Sequence, residues 1–488
     1  MTSNPNSNQW LTLDKDLRRI GQLEQAVQYV SRPVVGVSIA LGFITLAALA
    51  AALLFRDSEG SLIVVAAAAL GAYMALNIGA NDVANNVGPA VGANALTMVG
   101  AIIMAALFES AGALLAGGDV VSTISKGIID PASVSDSRIF VWAMMAALMS
   151  AAVWVNLATF FGAPVSTTHS VVGGVMGAGI AAAGFAAVNW PNMGKIAASW
   201  VISPVLGGLI AALFLAFIKT QIMYQNDKIA AARKWVPVLI AIMAGVFSAY
   251  LSVKGFKKII KIDMATALMI GAAVSVVAFA FARPFIRRQS EGMENRNKSL
   301  KVLFRMPLVI SAALLSFAHG ANDVANAVGP LAAIVHVENV GEFAGKVSIP
   351  VWVMIIGAFG ISFGLFLFGP KLIKMVGSQI TKLNPMRAYC VALSAAITVI
   401  FASWLGLPVS STHIAIGGIF GVGFYREWQE ERRAKRTNIH KVAPDERRRR
   451  KLVRRSHFLT IIAAWVITVP AAALLSGVIF LGLTALFV

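Results

Sequence analysis

The feature that most constrains this chain is a series of apolar segments, each about 20 residues long, that recurs from residue 33 to residue 488. A helix of that length crosses a bilayer core of about 30 Å. Clear examples are residues 34–55, 62–81, 96–116 and 139–161. Only 13% of the residues are charged, whereas soluble domains carry about 25%. The sequence therefore predicts an all-α, polytopic membrane protein with about twelve transmembrane helices.

The chain carries a formal charge of +19, and its lysines and arginines concentrate in three stretches, residues 15–32, 283–305 and 426–455. Each stretch adjoins an apolar segment, so the excess is typical of cytoplasmic loops and not of a nucleic-acid surface. The first thirty residues lack the apolar core of a cleavable signal peptide, and we expect a cytoplasmic N-terminus. Basic residues between 219 and 262 fall at both ends of one predicted helix, so the topology of that region stays open.

Two sequence motifs occur twice, in the same order and at nearly the same spacing. The first motif, Gly-Ala-Asn-Asp-Val-Ala-Asn, begins at Gly79 and again at Gly320, and Val-Gly-Pro follows each copy. The second motif, Gly-x-Pro-Val-Ser-x-Thr-His, begins at Gly162 and again at Gly406, and a Gly-Gly pair follows each copy. Internal repeats are typical of secondary transporters, whose sites form where the repeats meet near the membrane midplane. We therefore predict a duplicated membrane unit and favour inverted repeats.

The repeats divide the chain into parts. We predict a cytoplasmic segment at 1–32, an additional transmembrane helix at 33–60, a first half at 61–282, a basic cytoplasmic linker at 283–302, and a second half at 303–488 with a basic cytoplasmic loop at 426–456. The additional helix has no equivalent directly before the second repeat.

The first motif places a carboxylate at membrane depth in each half, Asp82 and Asp323. A charged side chain at that depth costs at least about 2.5 to 3.5 kcal/mol, so an intramembrane Asp indicates a functional site by default. Both aspartates have amide neighbours: Asn81, Asn85, Asn322 and Asn326. Hard oxygen ligands suit sodium, and a carboxylate could instead hold a proton. Gly-Pro pairs beyond both copies predict discontinuous helices that line a cavity, and the alternative is that the aspartates only cap helix ends.

The second motif predicts a helix that begins inside the membrane, because proline favours the first helical turn and Ser or Thr is a good N-cap. The exposed backbone N–H groups and the positive dipole end of such a helix suit a tetrahedral oxyanion. Candidate anion ligands, unless they bond only to their own helices, are the hydroxyls of Ser166, Thr167, Thr168, Ser410, Ser411 and Thr412. For His169 and His413 we favour a structural hydrogen bond over anion support or metal ligation, and His319 has no assigned role.

With these motifs the chain resembles the inorganic phosphate transporter family, whose signature repeats read Gly-Ala-Asn-Asp-Val-Ala-Asn and whose second motif reads Pro-Val-Ser-x-Thr-His. The resemblance covers roughly residues 62–488. It implies inverted repeats with re-entrant hairpins, symport of phosphate with sodium or protons, a homodimer, and a multi-pass protein of a bacterial-type inner membrane. It also implies that phosphate and cations are held by the hairpin Ser and Thr residues together with Asn81, Asp82, Asn322 and Asp323.

Two further positions concern the cations. Glu109, within Phe-Glu-Ser, resembles a family segment whose glutamate matters for transport, which implies a role in cation coupling; the alternative is a buried packing carboxyl. Some family members carry a Glu sixteen residues before the second Pro-Val-Ser, where this chain has Ala392. The number and identity of the coupled cations therefore stay open.

We expect secondary active uptake of phosphate by alternating access around a midplane site, without enzymatic activity, cofactor or resident metal. A doubly charged phosphate that enters against 100 mV must overcome roughly 4 to 5 kcal/mol, at about 2.3 per charge, so uptake needs co-transported cations. Phosphate also has a P–OH group from which an Asp can accept a hydrogen bond, whereas sulfate has no such donor. The alternatives are a sulfate permease on the same scaffold, an intramembrane aspartyl protease that uses the two aspartates, and a receptor or scaffold without turnover.

Overall fold

The computed structural model describes residues 34–56, 60–130, 133–134, 136–160, 165–255, 262–341, 349–375, 383–437 and 455–487. The predicted cytoplasmic segment at 1–32 and most of the predicted basic loop at 426–456 lie outside these ranges. The described residues form α-helices and no β-strand, apart from one isolated bridge between Ile129 and Val188.

Sixteen helices follow one another along the described chain. They are α1 Val34–Leu54, α2 Ser61–Asn81, α3 Val83–Gly92, α4 Met98–Ala116, α5 Gly118–Lys126, α6 Ser137–Phe160, α7 Thr167–Ala183, α8 Trp190–Ile218, α9 Lys228–Lys254, α10 Met264–Gln289, α11 Asn297–Leu303, α12 Arg305–Val340, α13 Val351–Met375, α14 Pro385–Trp404, α15 Ser411–Thr437 and α16 Arg455–Phe487.

The described residues include eleven helical segments that are long and apolar enough to cross a membrane. Large apolar side chains cover the outside of the molecule: Leu53, Phe281 and Leu474 are each more than 70% exposed. Three carboxylates and four histidines of the described residues are buried inside instead, which is the reverse of a soluble protein. The prediction of an all-α polytopic protein is confirmed, while the count of about twelve transmembrane helices stays a prediction.

One face of the molecule carries the basic linker, and we call it the linker face. The Asn295 side chain in the linker donates to the Asn226 carbonyl at 2.7 Å and accepts from the Lys228 amide at 2.9 Å, so the junction of α8 and α9 lies on this face. The single helix α9 then carries Lys254 to the opposite face, where Lys254 forms an ion pair with Asp119. The carboxylate neutralises Lys254, so this lysine need not mark a cytoplasmic loop. Residues 256–261 lie outside the described ranges, and the topology of the 219–262 region stays open.

The two second-motif segments each join a pair of helices into a hairpin, α6–α7 and α14–α15. The outer end of α7 lies beside the C-terminal end of α5, since Val188 and Ile129, which follow these helices, form a bridge. The outer end of α14 lies beside α11 of the linker. Entry of the hairpins from opposite faces, and with it the inversion of the repeats, stays a prediction.

The halves exchange packing partners. Helix α7 packs against α16, the last helix of the second half, and α15 packs against α8 of the first half. The first glycine of each Gly-Gly pair makes this contact possible: a Cβ at Gly173 would lie 2.7 Å from the Val469 carbonyl oxygen, and one at Gly417 would lie 2.2 Å from that of Pro204. Small residues let helices approach closely where lipid supplies no hydrophobic driving force.

Beside the acidic motifs, too, helices of one half pack on helices of the other: α2 packs on α13, and α12 packs on α4. A Cβ at Gly79 would lie 1.8 Å from the backbone oxygen of Ile361, and a Cβ at Gly320 would lie 2.1 Å from that of Glu109. The motif glycines therefore bring each acidic motif into backbone contact with a helix of the other half.

One expectation needs correction. Neither Gly-Pro pair breaks its helix: Pro89 lies inside α3, and Pro330 lies inside α12, which continues from Arg305 to Val340. At the first acidic motif only Asp82 separates α2 from α3, and its backbone conformation is itself helical. Helix α12 is almost wholly buried, so its neighbours hold it continuous. Helix α10 continues to Gln289, so the first residues of the predicted linker at 283–302 are helical, and their basic side chains lie at a helix C-terminus, where cations stabilise a helix. The bounds of the linker stay a prediction.

We predict that Gly320→Ala destabilises the protein, because the added methyl group cannot fit against the Glu109 backbone. Overpacking of this kind costs roughly 1 to 3 kcal/mol, so the midpoint of thermal denaturation in detergent should fall. Gly482→Ala is the matched control, since a Cβ there meets nothing within 4 Å. Equal midpoints for the two variants would contradict the close approach of α12 and α4.

Candidate functional site

Asp82 lies in the interior at the break between α2 and α3 and is 3% exposed. Its side chain caps neither helix. Instead it accepts hydrogen bonds from Thr167 Oγ1 at 2.6 Å and from Thr412 Oγ1 at 3.2 Å, one hydroxyl from the start of each hairpin helix. One carboxylate of the first acidic motif therefore contacts both copies of the second motif.

The second acidic motif repeats this arrangement in part. Asp323, 1% exposed, accepts from Ser411 Oγ at 3.4 Å. Asn326 donates to Thr168 Oγ1 at 3.1 Å, and its counterpart Asn85 donates to Thr412 Oγ1 at 2.9 Å. Each aspartate thus accepts a hydroxyl from the hairpin of its own half, and each asparagine donates to the hairpin of the other half.

The hairpin helices begin where the sequence predicted. Ser166 Oγ accepts from the His169 amide at 3.2 Å, and Ser410 Oγ accepts from the His413 amide at 3.3 Å, so the two serines are equivalent N-caps. Thr168 Oγ1 also donates to the Val409 carbonyl at 3.1 Å, which joins the two hairpin tips. The positive ends of α7 and α15 consequently converge on the same interior region as the two aspartates.

The first asparagine of each acidic motif, Asn81 or Asn322, forms different hydrogen bonds in the two halves. Asn322 orders the second hairpin tip: its Nδ2 donates to Ser403 Oγ at 3.0 Å and to the Leu407 carbonyl at 3.1 Å, and its Oδ1 accepts from the Val409 amide at 3.2 Å. Asn81 makes no comparable side-chain bond with any residue in the described ranges. Residues 161–164, at the tip of the first hairpin, lie outside those ranges.

A chain of three titratable groups extends the site on the side of the second motif. His319 Nδ1 lies 2.6 Å from Glu109 Oε2, and His319 Nε2 lies 2.7 Å from Asp323 Oδ2. Both His319 and Glu109 are fully buried, and Asn86 Nδ2 donates to Glu109 Oε1 at 2.8 Å. The sequence interpretation assigned no role to His319 and did not name Asn86.

The first half has no such chain at the corresponding positions. Gly79 approaches Ile361 just as Gly320 approaches Glu109, and the residues that precede the two glycines are Ile78 and His319. Ile78 and Ile361 are both fully buried in one apolar cluster. An alignment of the two motif copies would have revealed the difference, because His319 precedes Gly320 at the position where the first copy has the apolar Ile78.

His169 and His413 lie behind the hairpin tips with their ring centroids 4.6 Å apart. The ring of His169 also packs on Trp200 at 3.9 Å, and Trp200 Nε1 donates to the Pro408 carbonyl at 3.0 Å. This packing favours a structural role for both histidines. Ligand atoms of Asp82, His319 and Asp323 lie instead within 4.8 Å of one another, which is close enough for one cation.

These side chains and helix ends can bind two kinds of ion. Carboxylate, amide and hydroxyl oxygens are ligands for a hard cation. Two helix N-termini with their hydroxyls suit an anion. Both sets of groups occupy one buried region, so an anion and cations could bind there side by side.

Comparisons with known proteins agree with this chemistry. The family model described as the phosphate transporter family matches residues 78–476. Three relatives carry the name "Putative phosphate permease". The one from Helicobacter pylori is 43% identical over 96% of this chain and 98% of its own length. The one from Chlamydia trachomatis is 38% identical over 87% of this chain and 99% of its own length, and the one from Pyrococcus abyssi is 36% identical over 84% of this chain and 95% of its own length. A solved structure titled as the sodium-dependent phosphate transporter has a TM-score of 0.79 and 34% identity, over 87% of this chain and all of that chain.

We predict that His319→Ile destabilises the protein by about 3 to 5 kcal/mol, because it leaves two buried carboxyls without their shared partner. The double variant Glu109→Ile/His319→Ile reproduces the apolar pair of the other half and should recover part of that loss. Thermal denaturation in detergent measures both effects.

His336→Ile is the control for this experiment, since it makes the same substitution on α12 at a histidine whose Nε2 has no hydrogen-bond partner among the described residues. A single variant as stable as the wild type, or a double variant no more stable than the single, would contradict the arrangement.

Proposed function

This chain belongs to the phosphate transporter family, and on that premise we propose that it takes up inorganic phosphate by symport with sodium ions across a bacterial-type inner membrane. It is a multi-pass membrane transporter and not an enzyme. The observation that carries the proposal is the convergence of two buried aspartates and two hairpin helix starts in one interior region.

The anion part of the site is formed by the starts of α7 and α15. Thr167, Thr168, Ser411 and Thr412 present hydroxyls there, and the helix dipoles favour negative charge. Ser166 and Ser410 contribute by ordering the helix starts, because their oxygens are engaged as N-caps. Phosphate is a better occupant than sulfate, because its P–OH group can donate to Asp82 or Asp323.

The cation part of the site is formed by the acidic motifs. Asp82 and Asp323 supply carboxylates, and the amides that accompany them are Asn81, Asn85, Asn322 and Asn326. An anion and two aspartates would repel one another in a buried region, and sodium ions between them remove that repulsion. The similarity of this chain to the solved structure of a sodium-dependent phosphate transporter favours sodium over protons as the coupling ion.

Glu109 and His319 act on the same site through Asp323. The imidazole contacts both carboxyls and thereby fixes the orientation of Asp323. Ile78 offers no such contact to Asp82, so the two aspartates are unequal cation ligands. We include in the proposal that Glu109 is a positioning residue for cation coupling.

We also propose that transport proceeds by alternating access between inverted halves, in a homodimer with a cytoplasmic N-terminus. The contacts of α7 with α16 and of α15 with α8 support alternating access, because the site then forms where the two halves meet, as in transporters built from repeats. The dimer and the orientation rest on the family resemblance and on the positive-inside rule.

Proteoliposomes that contain the purified chain test the proposed function. An imposed inward sodium gradient should drive accumulation of radiolabelled phosphate, while a proton gradient without sodium should not. Excess unlabelled phosphate should abolish the signal, and excess sulfate should leave most of it. Uptake driven only by the proton gradient would replace sodium by protons in the proposal, and equal competition by sulfate would overturn the choice of anion.

We predict that Asp82→Asn and Asp323→Asn each abolish sodium-driven phosphate uptake, because each removes one negative charge that holds a cation. Asp227→Asn is the matched control: this exposed aspartate caps α9 on the linker face, and asparagine is an equally good N-cap. Uptake by the control should match the wild type. Normal uptake by both site variants would refute the assigned roles.

We predict that Thr412→Val weakens phosphate binding by roughly tenfold to a hundredfold, because hydrogen bonds to charged groups contribute about 1.5 to 3 kcal/mol. The hydroxyl of Thr412 donates to Asp82 and accepts from Asn85. Thr398→Val is the control, since that buried hydroxyl donates to the Ser394 carbonyl of its own helix. Equilibrium phosphate binding in detergent measures the effect, and equal affinities for the two variants would exclude Thr412 from the site.

A further inference from the structure

A second polar region, which we call the basic basin, lies on the linker face. It is a cavity of about 720 Å³ lined by the ends of six helices, α3, α4, α11, α12, α13 and α14. Its basic residues are Lys298, Lys301, Arg305 and Lys374, and among the described residues its lining includes no aspartate or glutamate. Ligand pockets in proteins commonly have volumes of about 300 to 1,000 Å³. The basin is therefore large enough for a small molecule or a lipid headgroup.

Three of the four basic side chains of the basin have no acidic partner among the described residues. Lys298, Lys301 and Arg305 are exposed and form no ion pair with any residue of the described ranges. Lys298, Lys301 and Arg305 surround one open cavity and repel one another, so an anion that binds among them relieves this repulsion.

We propose that the basic basin binds a phosphate group, supplied either by an anionic phospholipid headgroup or by free phosphate. Lysine and arginine are suitable ligands for phosphate oxygens. Basic pockets between transmembrane helices on the cytoplasmic side bind lipid headgroups, and the linker face is basic. The inference goes beyond the proposed function and does not depend on it, because it concerns a different cavity.

The basin is separate from the central site but mechanically connected to it. Helix α3 carries Asn85 and Asn86 in its first turn and forms part of the basin wall with Val91 and Gly92. Between them, Ala90 is fully buried in an apolar cluster with residues of α12 and α14. An occupant of the basin would therefore contact one end of the helix whose other end holds site residues, across an apolar layer.

Native mass spectrometry of the full chain in detergent tests the proposal with two probes, short-chain phosphatidylglycerol and inorganic phosphate. The test variant is Lys298→Gln/Lys301→Gln. The matched control is Arg287→Gln/Arg288→Gln, which removes the same charge from exposed positions on the same face outside the basin. At about 1 kcal/mol per basic residue, the test variant should bind about thirtyfold more weakly than the control.

Loss of phosphatidylglycerol binding in the test variant alone supports the proposal and identifies the lipid headgroup as the source. Loss of one of two inorganic phosphate sites in the test variant alone supports it with free phosphate as the source. Equal binding of both probes to the test variant and the control overturns it. A failure of the proposed function would be distinguishable, because it would appear as absent uptake while basin binding persists.

Discussion

The constraint on which the rest of the structure depends is the burial of Asp82 and Asp323 inside a membrane protein. A carboxylate at that depth must be surrounded by hydrogen-bond donors or by cations. Here hydroxyl donors come from the first turns of two hairpin helices, and Asp323 is held in addition by His319 of its own helix. In the proposed function, binding of a cation and binding of an oxyanion use the same few atoms, which would couple the two.

Close backbone contact is what places those atoms. Gly79 and Gly320 bring the acidic motifs against helices of the other half, and Gly173 and Gly417 do the same for the hairpin helices. With no side chain in the way, the helices approach to the distance at which short side chains such as Thr and Asn can reach across. The two halves nevertheless differ chemically, because the apolar Ile78 has the buried imidazole of His319 as its counterpart. A duplicated framework thus holds an unequal pair of carboxylates.

Much of this was accessible from the sequence, and the reasons are physical. Apolar segments of membrane length identify the fold class, and a repeated Asn-Asp-Val-Ala-Asn at membrane depth has few explanations other than a site. The N-caps at Ser166 and Ser410 follow from local preferences of the chain. What could not be predicted depends on packing: α12 continues through Pro330 because its neighbours enclose it, and Glu109 meets His319 because two helices distant in sequence cross at Gly320. The basic basin was equally inaccessible, since six helix ends from both halves form it.

The central claim is that phosphate and its cations bind as one neutralised group. The dependence of phosphate affinity on sodium, measured at equilibrium in detergent, tests it most directly. With sodium replaced by choline at constant ionic strength, the account predicts that phosphate affinity falls by at least about fivefold, the lower end of typical coupling between sites. Equal phosphate affinity in sodium and in choline would contradict it.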